Sequence, residues 1–308
     1  MIHVRDLSTI QLEKPSIVTI GVFDGIHRGH QVLIQNLVDE AHAIDQLAVV
    51  LTFHPHPDVI LDDVDSRYYL TTPELRAQLL GDMGVDVVVT HPFNDTVREM
   101  RAETFVDNLL IALNMSSLRV GADFALGYQR EGNVEYLTEL GQQKGYELRP
   151  IDLVSVNDGD DIISSSLIRS LLQAGDVKKA NKLLGRPYTV EGKVIQGDQR
   201  GRLIGFPTAN MDVWKQQILP AQGVYAGWAI VDNERFMAVT NLGTRPTFDG
   251  VSLSLEPHLL NFNRDIYGKT LSLTFEHRLR SEQKFDGLEA LKTQLQQDIA
   301  QGRKVLLA

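Results

Sequence analysis

Two histidines stand three residues apart in GVFDGIHRGH, the stretch from 21 to 30. At positions i and i+3 of a helical turn, His27 and His30 would lie on one face, so both rings could reach the same anion. Gly29 would keep a side chain out of the space between the rings. A strand that ends in glycine and turns into a helix also offers unpaired N–H groups to a phosphate. The residue types and their spacing therefore favour a phosphate site.

Two other interpretations of this pair stay open on these residues alone. The histidines could face solvent on a glycine-rich turn. They could also bind zinc, although such a site needs a third ligand and no nearby residue obviously supplies one. In the same stretch, Asp24 is either a carboxylate beside a metal or a turn former, and we favour the turn.

Three further polar clusters follow apolar runs in the first half of the chain. They are TFHPHP (52–57), GADFALGYQREG (121–132) and ISSSLIR (163–169). Ser164, Ser165 and Ser166 offer hydroxyl donors at a helix N-terminus, and Arg169 adds a fork that suits phosphate oxygens. Alone, a serine run before a helix is more often a cap. Together with the histidines, these residues predict a clamp on a triphosphate.

The hydrophobic pattern predicts the elements that hold these residues. Between residues 1 and 184, strand-like runs alternate with helical periodicity, which indicates an α/β domain with a mostly parallel sheet. Ligands of such sheets bind at the carboxyl ends of the strands, where Gly21 is expected. The predicted strands are Ile17–Ile20, Leu47–Phe53, Val85–Thr90, Leu118–Val120 and Glu147–Leu153. The predicted helices are Val32–Ala43, Pro73–Met83, Ala102–Leu113, Val134–Lys144 and Ser166–Leu184, with caps at Thr72 and Asn133.

The pattern changes near residue 185, which divides the chain into predicted domains 1–184 and 185–308. Short β runs at regular spacing favour a small antiparallel barrel, followed by one helix from about Phe285 to Ile299. The β runs are Tyr188–Ile195, Val224–Val231, Arg235–Asn241, Ser252–Phe262 and Thr270–Phe275. In this half, GDQRGRLIGFPTANMD (197–212) is rich in glycine and basic residues. The chain has no P-loop or dinucleotide fingerprint, so a phosphate here would need another kind of loop, and a surface turn is the alternative.

Composition limits the partners of the protein. The 308 residues carry a formal net charge of −10, spread along the chain, and include no cysteine. This charge argues against a broad electrostatic grip on nucleic acid or anionic membrane, and no run approaches the ~18 apolar residues of a membrane span. Without cysteine there is no thiolate chemistry. We expect a cytoplasmic protein, a monomer or weak homo-oligomer, whose partners are small molecules.

Taken in order, the four N-terminal motifs resemble one half of a known family. GxFDGxHxGH, TFxPHP, GxDFxxGxxxxG and SSSxIR are similar to the adenylyltransferase half of the bacterial bifunctional riboflavin kinase and FMN adenylyltransferase (FAD synthetase) family. The segment 186–300, with a complete GFPTAN, resembles the riboflavin kinase half. The resemblance implies a Rossmann-like nucleotidyltransferase domain followed by the barrel. It also implies that riboflavin, FMN and ATP are substrates, that FMN and FAD are products, and that Mg²⁺ acts at both sites.

The resemblance also implies roles for individual residues. In the first domain, His27 and His30 would stabilise charge on the α-phosphate of ATP, while Ser165, Ser166 and Arg169 would hold its outer phosphates. Further nucleotide or flavin contacts would come from Gly21, Phe23, Asp24, Gly25, Gly29, Asp123 and Ser164. Asp123 stands where some members of the family have Asn.

In the second domain, Glu256 would be the base that deprotonates the ribityl hydroxyl, and Thr208 and Asn210 would bind Mg-ATP. Other contacts would come from Gly201, Arg202, Gly205, Phe206, Pro207 and Arg245. Glu256 could instead be an edge residue of a β strand. The family usually has Thr after this Glu, and Pro257 could alter the kinase geometry because proline lacks the N–H donor.

Two rival functions remain on the sequence. One is an enzyme with only adenylyltransferase activity, in which the barrel is a scaffold; intact Thr208, Asn210 and Glu256 count against it. The other is an RNA-binding or synthetase-like module, since HxGH occurs in such proteins too. The net negative charge of the chain and the lack of a stripe of basic residues argue against this second function.

Overall fold

The computed structural model describes residues 1–64, 66–151, 157–158, 161–197, 201, 204–247 and 250–308. Of these, the side chains of 151, 157–158, 161–162, 245–247 and 250–252 are not described. The chain divides into two compact units, Met1–Ser165 and Ser166–Ala308. The domain boundary near 185 stays a prediction, because it concerns which residues serve each reaction.

A six-stranded parallel sheet forms the centre of the first unit. Its spatial order is β1-β4-β3-β2-β5-β8, and every neighbouring pair is parallel. The strands are β1 (Ile2–Val4), β2 (Ser16–Ile20), β3 (Leu47–Phe53), β4 (Val87–His91), β5 (Met115–Gly121) and β8 (Glu147–Ile151). Two short antiparallel pairs are β6 (Ala125–Leu126) with β7 (Gly132–Asn133), and β9 (Asn157–Asp158) with β10 (Asp161–Ile162). Apolar clusters on both faces of the sheet account for the continuous Val and Leu runs in its strands.

Helices cover this sheet, four of them where the periodicity predicts. They are α1 (Arg28–Ala43), α2 (Pro57–Leu61), α3 (Pro73–Asp82), α4 (Asp95–Arg98), α5 (Ala102–Leu113) and α6 (Val134–Lys144), with 3₁₀ turns at Leu7–Thr9 and Tyr128–Arg130. The predicted caps are confirmed, because the side chains of Thr72 and Asn133 accept N–H groups of their helices. Helix α1 begins at Arg28, four residues before the prediction, because its first turn is polar and its N-cap is a histidine ring.

The predicted helix Ser166–Leu184 is wrong as a single element. The chain forms α7 (Ser165–Ala174) and α8 (Val177–Leu184). Gly175, with φ of +81°, ends the first helix, and Asp176 caps the second by accepting from the Lys179 N–H. Helix α8 packs against the barrel strands of its own unit, and the side chain of Asn181 bonds the backbone of two of them.

An antiparallel barrel and a terminal helix complete the second unit, and both predictions are confirmed. The strands are β11 (Tyr188–Ile195), β12 (Asn210–Val213), β13 (Gly223–Val231), β14 (Glu234–Thr247), β15 (Gly250–Leu259), β16 (Thr270–Phe275) and β17 (His277–Arg280), and the helix is α9 (Leu288–Leu306). Their order is β12-β11-β16-β13-β14-β15, with β17 beside β13. The Ala209 N–H donates to the Pro257 carbonyl at 2.9 Å, which joins the two ends of this order. In the part of the chain that the structure describes, no helix is long and apolar enough to cross a bilayer.

Candidate active sites

The histidine loop, residues 21–27, runs from the carboxyl end of β2 to the start of α1. Phe23 and Ile26 have φ of 50° and 39°, in the left-handed region that strains residues with side chains. Gly25 also has positive φ, +82°, at no such cost. Both strained residues are buried, at 5% and 1% exposure, so packing holds them in place. The loop is a rigid feature that the surrounding core enforces.

His27 and His30 stack face to face at the start of α1. Their ring centroids are 3.7 Å apart with 18° between the planes. Nδ1 of His27 accepts the His30 backbone N–H at 3.3 Å, which assigns the ring proton of neutral His27 to Nε2. A Cβ on Gly29 would come within 3.2 Å of the His27 ring, so the glycine allows this close approach.

Burial lowers the pKa of His30 well below its usual value, and positive charge on His27, when that ring is protonated, and on Arg76 lowers the pKa further. His30 is therefore neutral at pH 7. Its Nδ1 is buried, and within the described residues it has no hydrogen-bond partner. A neutral ring with an unused nitrogen can donate to a phosphate oxygen without bringing two positive charges into contact.

Asp24 holds the histidine loop in place. It is 1% exposed, and its carboxylate accepts the backbone N–H groups of Leu70 and Thr71 at 2.9–3.1 Å and the Thr71 hydroxyl at 3.1 Å. This geometry supports the turn-forming interpretation. The backbone carbonyl of Asp24 accepts the Ser165 hydroxyl at 2.8 Å, so the serine run reaches the same loop.

The structure brings most predicted residues of the first unit to one edge of the sheet. Gly21, Phe23, Gly25, His27, Gly29, His30 and Ser165 lie on or against the histidine loop. Asp123 is exposed in the loop after β5, which is the strand next to β2. Ser164 is half-buried in the first unit, whereas Ser166 and the buried Arg169 belong to the second.

Sequence reasoning missed Arg76, which is 0% exposed and donates to the Val22 carbonyl and the Thr52 hydroxyl. A signal was present in α3. Arg76 lies beside Ala77 and one turn before Leu80, both buried, so its position on the helix faces the core.

A cavity of about 460 Å³ in the second unit is lined by four of the predicted kinase residues. Glu256 and Thr208 both line it, together with Gly201 and Phe206. Its apolar wall includes Val224, Val239, Leu288, Leu291, Leu295 and Ile299, most of them from the terminal helix. Such a wall suits a flat aromatic ligand, and the polar residues meet it at one end.

Glu256 is half-buried on β15, directly opposite Asn241 of β14. Cross-strand partners point to the same face, and both side chains line the cavity. The Pro257 carbonyl faces Ala209, away from β14. The N and C=O of one strand residue point to the same side, so the missing N–H of Pro257 removes no bond to β14.

The GFPTAN turn is fixed at several points. The Phe206 N–H donates to the Gly201 carbonyl at 2.8 Å, and a Cβ on Gly201 would overlap the Phe206 carbonyl. The His258 ring donates from Nδ1 to the Pro207 carbonyl at 2.7 Å. Between these anchors, Thr208 also lines a second cavity, of about 280 Å³, that contains Arg264 and Asp265.

Further residues that line the larger cavity have no role assigned from the sequence: Asn241, His258, Arg280 and Glu282. Gly205 has φ of +89° within the turn, and Asn210 opens β12. Arg202 lies outside the described residues, and Arg245 is described only as backbone of β14, opposite Ser252.

No group of three or more His, Asp or Glu placed to hold a metal occurs among the described residues.

The first unit is a parallel α/β fold with paired histidines at a helix start. The second is a barrel whose cavity presents a carboxylate beside a glycine-rich turn. Together they define a two-domain class of nucleotide-dependent transferase. The FAD synthetase family model matches residues 9–167, and the riboflavin kinase model matches residues 184–306.

Curated relatives extend the match over nearly the whole chain. A bifunctional riboflavin kinase/FMN adenylyltransferase from Listeria monocytogenes is 37% identical over 92% of this chain and 90% of its own. The protein of that name from Pseudomonas fluorescens is 36% identical over 97% and 96%, and the one from Escherichia coli K12 is 34% identical over 93% and 91%.

The chain belongs to the bifunctional riboflavin kinase/FMN adenylyltransferase family. It is a transferase that makes FMN from riboflavin and FAD from FMN. A crystal structure described as a macrolide-efflux protein from Streptococcus pneumoniae has the same fold, with a TM-score of 0.88 and 31% identity over 98% of both chains. That likeness supports the fold, whereas the two family models and the curated relatives agree on the enzyme.

Proposed function

We propose that riboflavin is phosphorylated in the larger cavity of the second unit and that FMN is adenylylated at the histidine loop of the first. The observation that carries the kinase assignment is that Glu256 and Thr208 line one cavity with an apolar wall. The isoalloxazine ring of riboflavin would pack against α9, and its ribityl chain would extend toward Glu256.

Thr208 suggests where ATP lies, because it lines both cavities of the second unit. The nucleotide would occupy the smaller cavity, with its γ-phosphate beside Thr208 and facing riboflavin. Glu256 then accepts the proton of the ribityl hydroxyl as its oxygen bonds to the γ-phosphorus and ADP leaves.

Thr208 and Asn210 fit a magnesium ion in their donor chemistry, since hydroxyl and amide oxygens are hard ligands. A Cβ on Gly197 would overlap the Asn210 amide, so the chain approaches this side chain as closely as only glycine permits. When bound, Mg²⁺ would neutralise charge on the phosphates. We extend the same requirement for Mg-ATP to the first unit on the family resemblance.

In the first unit, an FMN phosphate oxygen attacks the α-phosphorus of ATP and pyrophosphate leaves, which needs no protein nucleophile. His27 and His30 donate to the α-phosphate as charge develops there. Ser165 supports this site through its bond to the histidine loop. For Asp123, Ser166 and Arg169, the assignment to flavin or phosphate rests on the family resemblance. We further propose a cytoplasmic enzyme that is a monomer or weak homo-oligomer.

Two single variants of the full chain test these assignments. His27→Ala should lower FAD formation from FMN by ~10² to 10³ and leave FMN formation unchanged. Glu256→Gln keeps the side-chain volume but removes the base, so it should lower FMN formation by ~10² or more while supplied FMN is still converted. Separation of FMN and FAD by chromatography measures both rates. Equal loss of both activities in either variant would refute the separate assignment of the two sites.

A further inference from the structure

Arg76 of α3 is 0% exposed, although arginine is rarely fully buried unless it is paired. Its guanidinium donates to the Val22 carbonyl at 2.9 Å and to the Thr52 hydroxyl at 3.1 Å, and it lies 3.4 Å from Oδ1 of Asp24. These partners belong to the histidine loop and to β3. One buried cation therefore joins α3, the histidine loop and β3 at the carboxyl edge of the sheet.

The histidine loop needs this support because its backbone is strained. Left-handed φ at residues such as Phe23 and Ile26 costs of order 1–3 kcal/mol each and persists only where the surroundings enforce it. Asp24 ties the loop to the backbone of 70–71, and Arg76 ties it to α3 and β3. If either partner is removed, the other becomes a buried charge without its counter-ion.

We propose that Arg76 is a positioning residue for adenylyl transfer, which through Asp24 and the Val22 carbonyl holds His27 and His30 in place for the α-phosphate of ATP. This rests on the proposed function of the histidine loop. Arg76 has a second effect, because its charge helps to lower the pKa of His30, after burial and together with His27. Burial is the main cause of the neutral His30 ring, and the charge of Arg76 adds to it.

Arg76→Gln in the full chain tests the proposal. We expect kcat for FAD formation to fall by ~10², because misplacement by about 1 Å costs that much, while KM for ATP changes little and FMN formation is unchanged. Loss of the cation raises the pKa of His30, so the acid limb of the kcat/KM profile for FAD formation moves to higher pH. Arg76→Lys keeps the positive charge without the planar guanidinium. It should therefore recover part of the rate of FAD formation and leave the acid limb in place.

Asp24→Asn provides the opposite electrostatic change at the same place. Asp24→Asn should also slow FAD formation. The acid limb of its kcat/KM profile should stay or move to lower pH, because the charge of Arg76 then lacks its counter-ion. The control is Arg119→Gln, another buried arginine of the first unit, which pairs with Glu40. This variant should lose stability and keep its rate of FAD formation.

Three outcomes would overturn the proposal: an unchanged kcat in Arg76→Gln, an unmoved acid limb in that variant, or equal slowing in the Arg119 control. If Arg76→Gln fails to fold, Arg76→Lys and Asp24→Asn decide the matter: both should slow FAD formation while KM for ATP and the rate of FMN formation change little, and a normal kcat for FAD formation in either folded variant would overturn the proposal. A normal rate in His27→Ala would instead refute the proposed function of the loop itself.

Discussion

Gly21→Ala perturbs the histidine loop without touching a histidine. An alanine Cβ there would lie 2.8 Å from Cζ of Phe23, whereas ordinary contact begins at 3.4 Å, so the phenyl ring must move by about 0.6 Å. The ring already packs edge-on against His30, with centroids 5.2 Å apart, and its strained backbone limits any retreat. A displacement of 1 Å can cost ~10² in rate, so we expect kcat for FAD formation to fall by roughly 10-fold, or about 1.4 kcal/mol.

The assay measures FAD formed from FMN and, in the same preparation, FMN formed from riboflavin, which should not change. Gly81→Ala is the matched control, because its Cβ would meet the Met1 side chain at 3.0 Å, but Met1 is 58% exposed and can move into solvent. The double variant Gly21→Ala with Phe23→Leu removes the overlapping ring atoms and should be faster than Gly21→Ala alone. A normal rate in the single variant, or no recovery in the double one, would refute the coupling of Gly21 to His30 through Phe23.

Two further predictions concern the second unit. Fragments that begin at Ser166 and at Arg186 should both make FMN and no FAD. In denaturant unfolding the longer fragment should be more stable by about 2 kcal/mol or more, because it alone keeps the two Asn181 hydrogen bonds. Equal stability would show that α8 adds nothing to the barrel. Pro257→Thr should change FMN formation by no more than about threefold, because the proline nitrogen faces away from β14; a large gain in rate would show that the proline distorts the position of Glu256.

Several elements could be predicted because their signals are local. Thr72 before a proline and Asn133 before an apolar run predicted the starts of α3 and α6, since a cap needs only the next three residues. The break at Gly175 was equally local and was overlooked. Strands β1, β12 and β17 are three or four residues long, which is too short for a periodic pattern, and β1 and β17 also pair with strands far away in the chain.

The sequence by itself determined the two-domain architecture and the family, because the residues that do chemistry stand in short motifs at strand ends and turns. Only the tertiary structure decided what those residues contact. Asp24 bonds to residues 70–71, Arg76 bonds to Val22 and Thr52, and Thr208 lines two cavities. These contacts join positions tens of residues apart, and the folded packing creates them, since no local preference specifies which distant backbone group a buried side chain will meet.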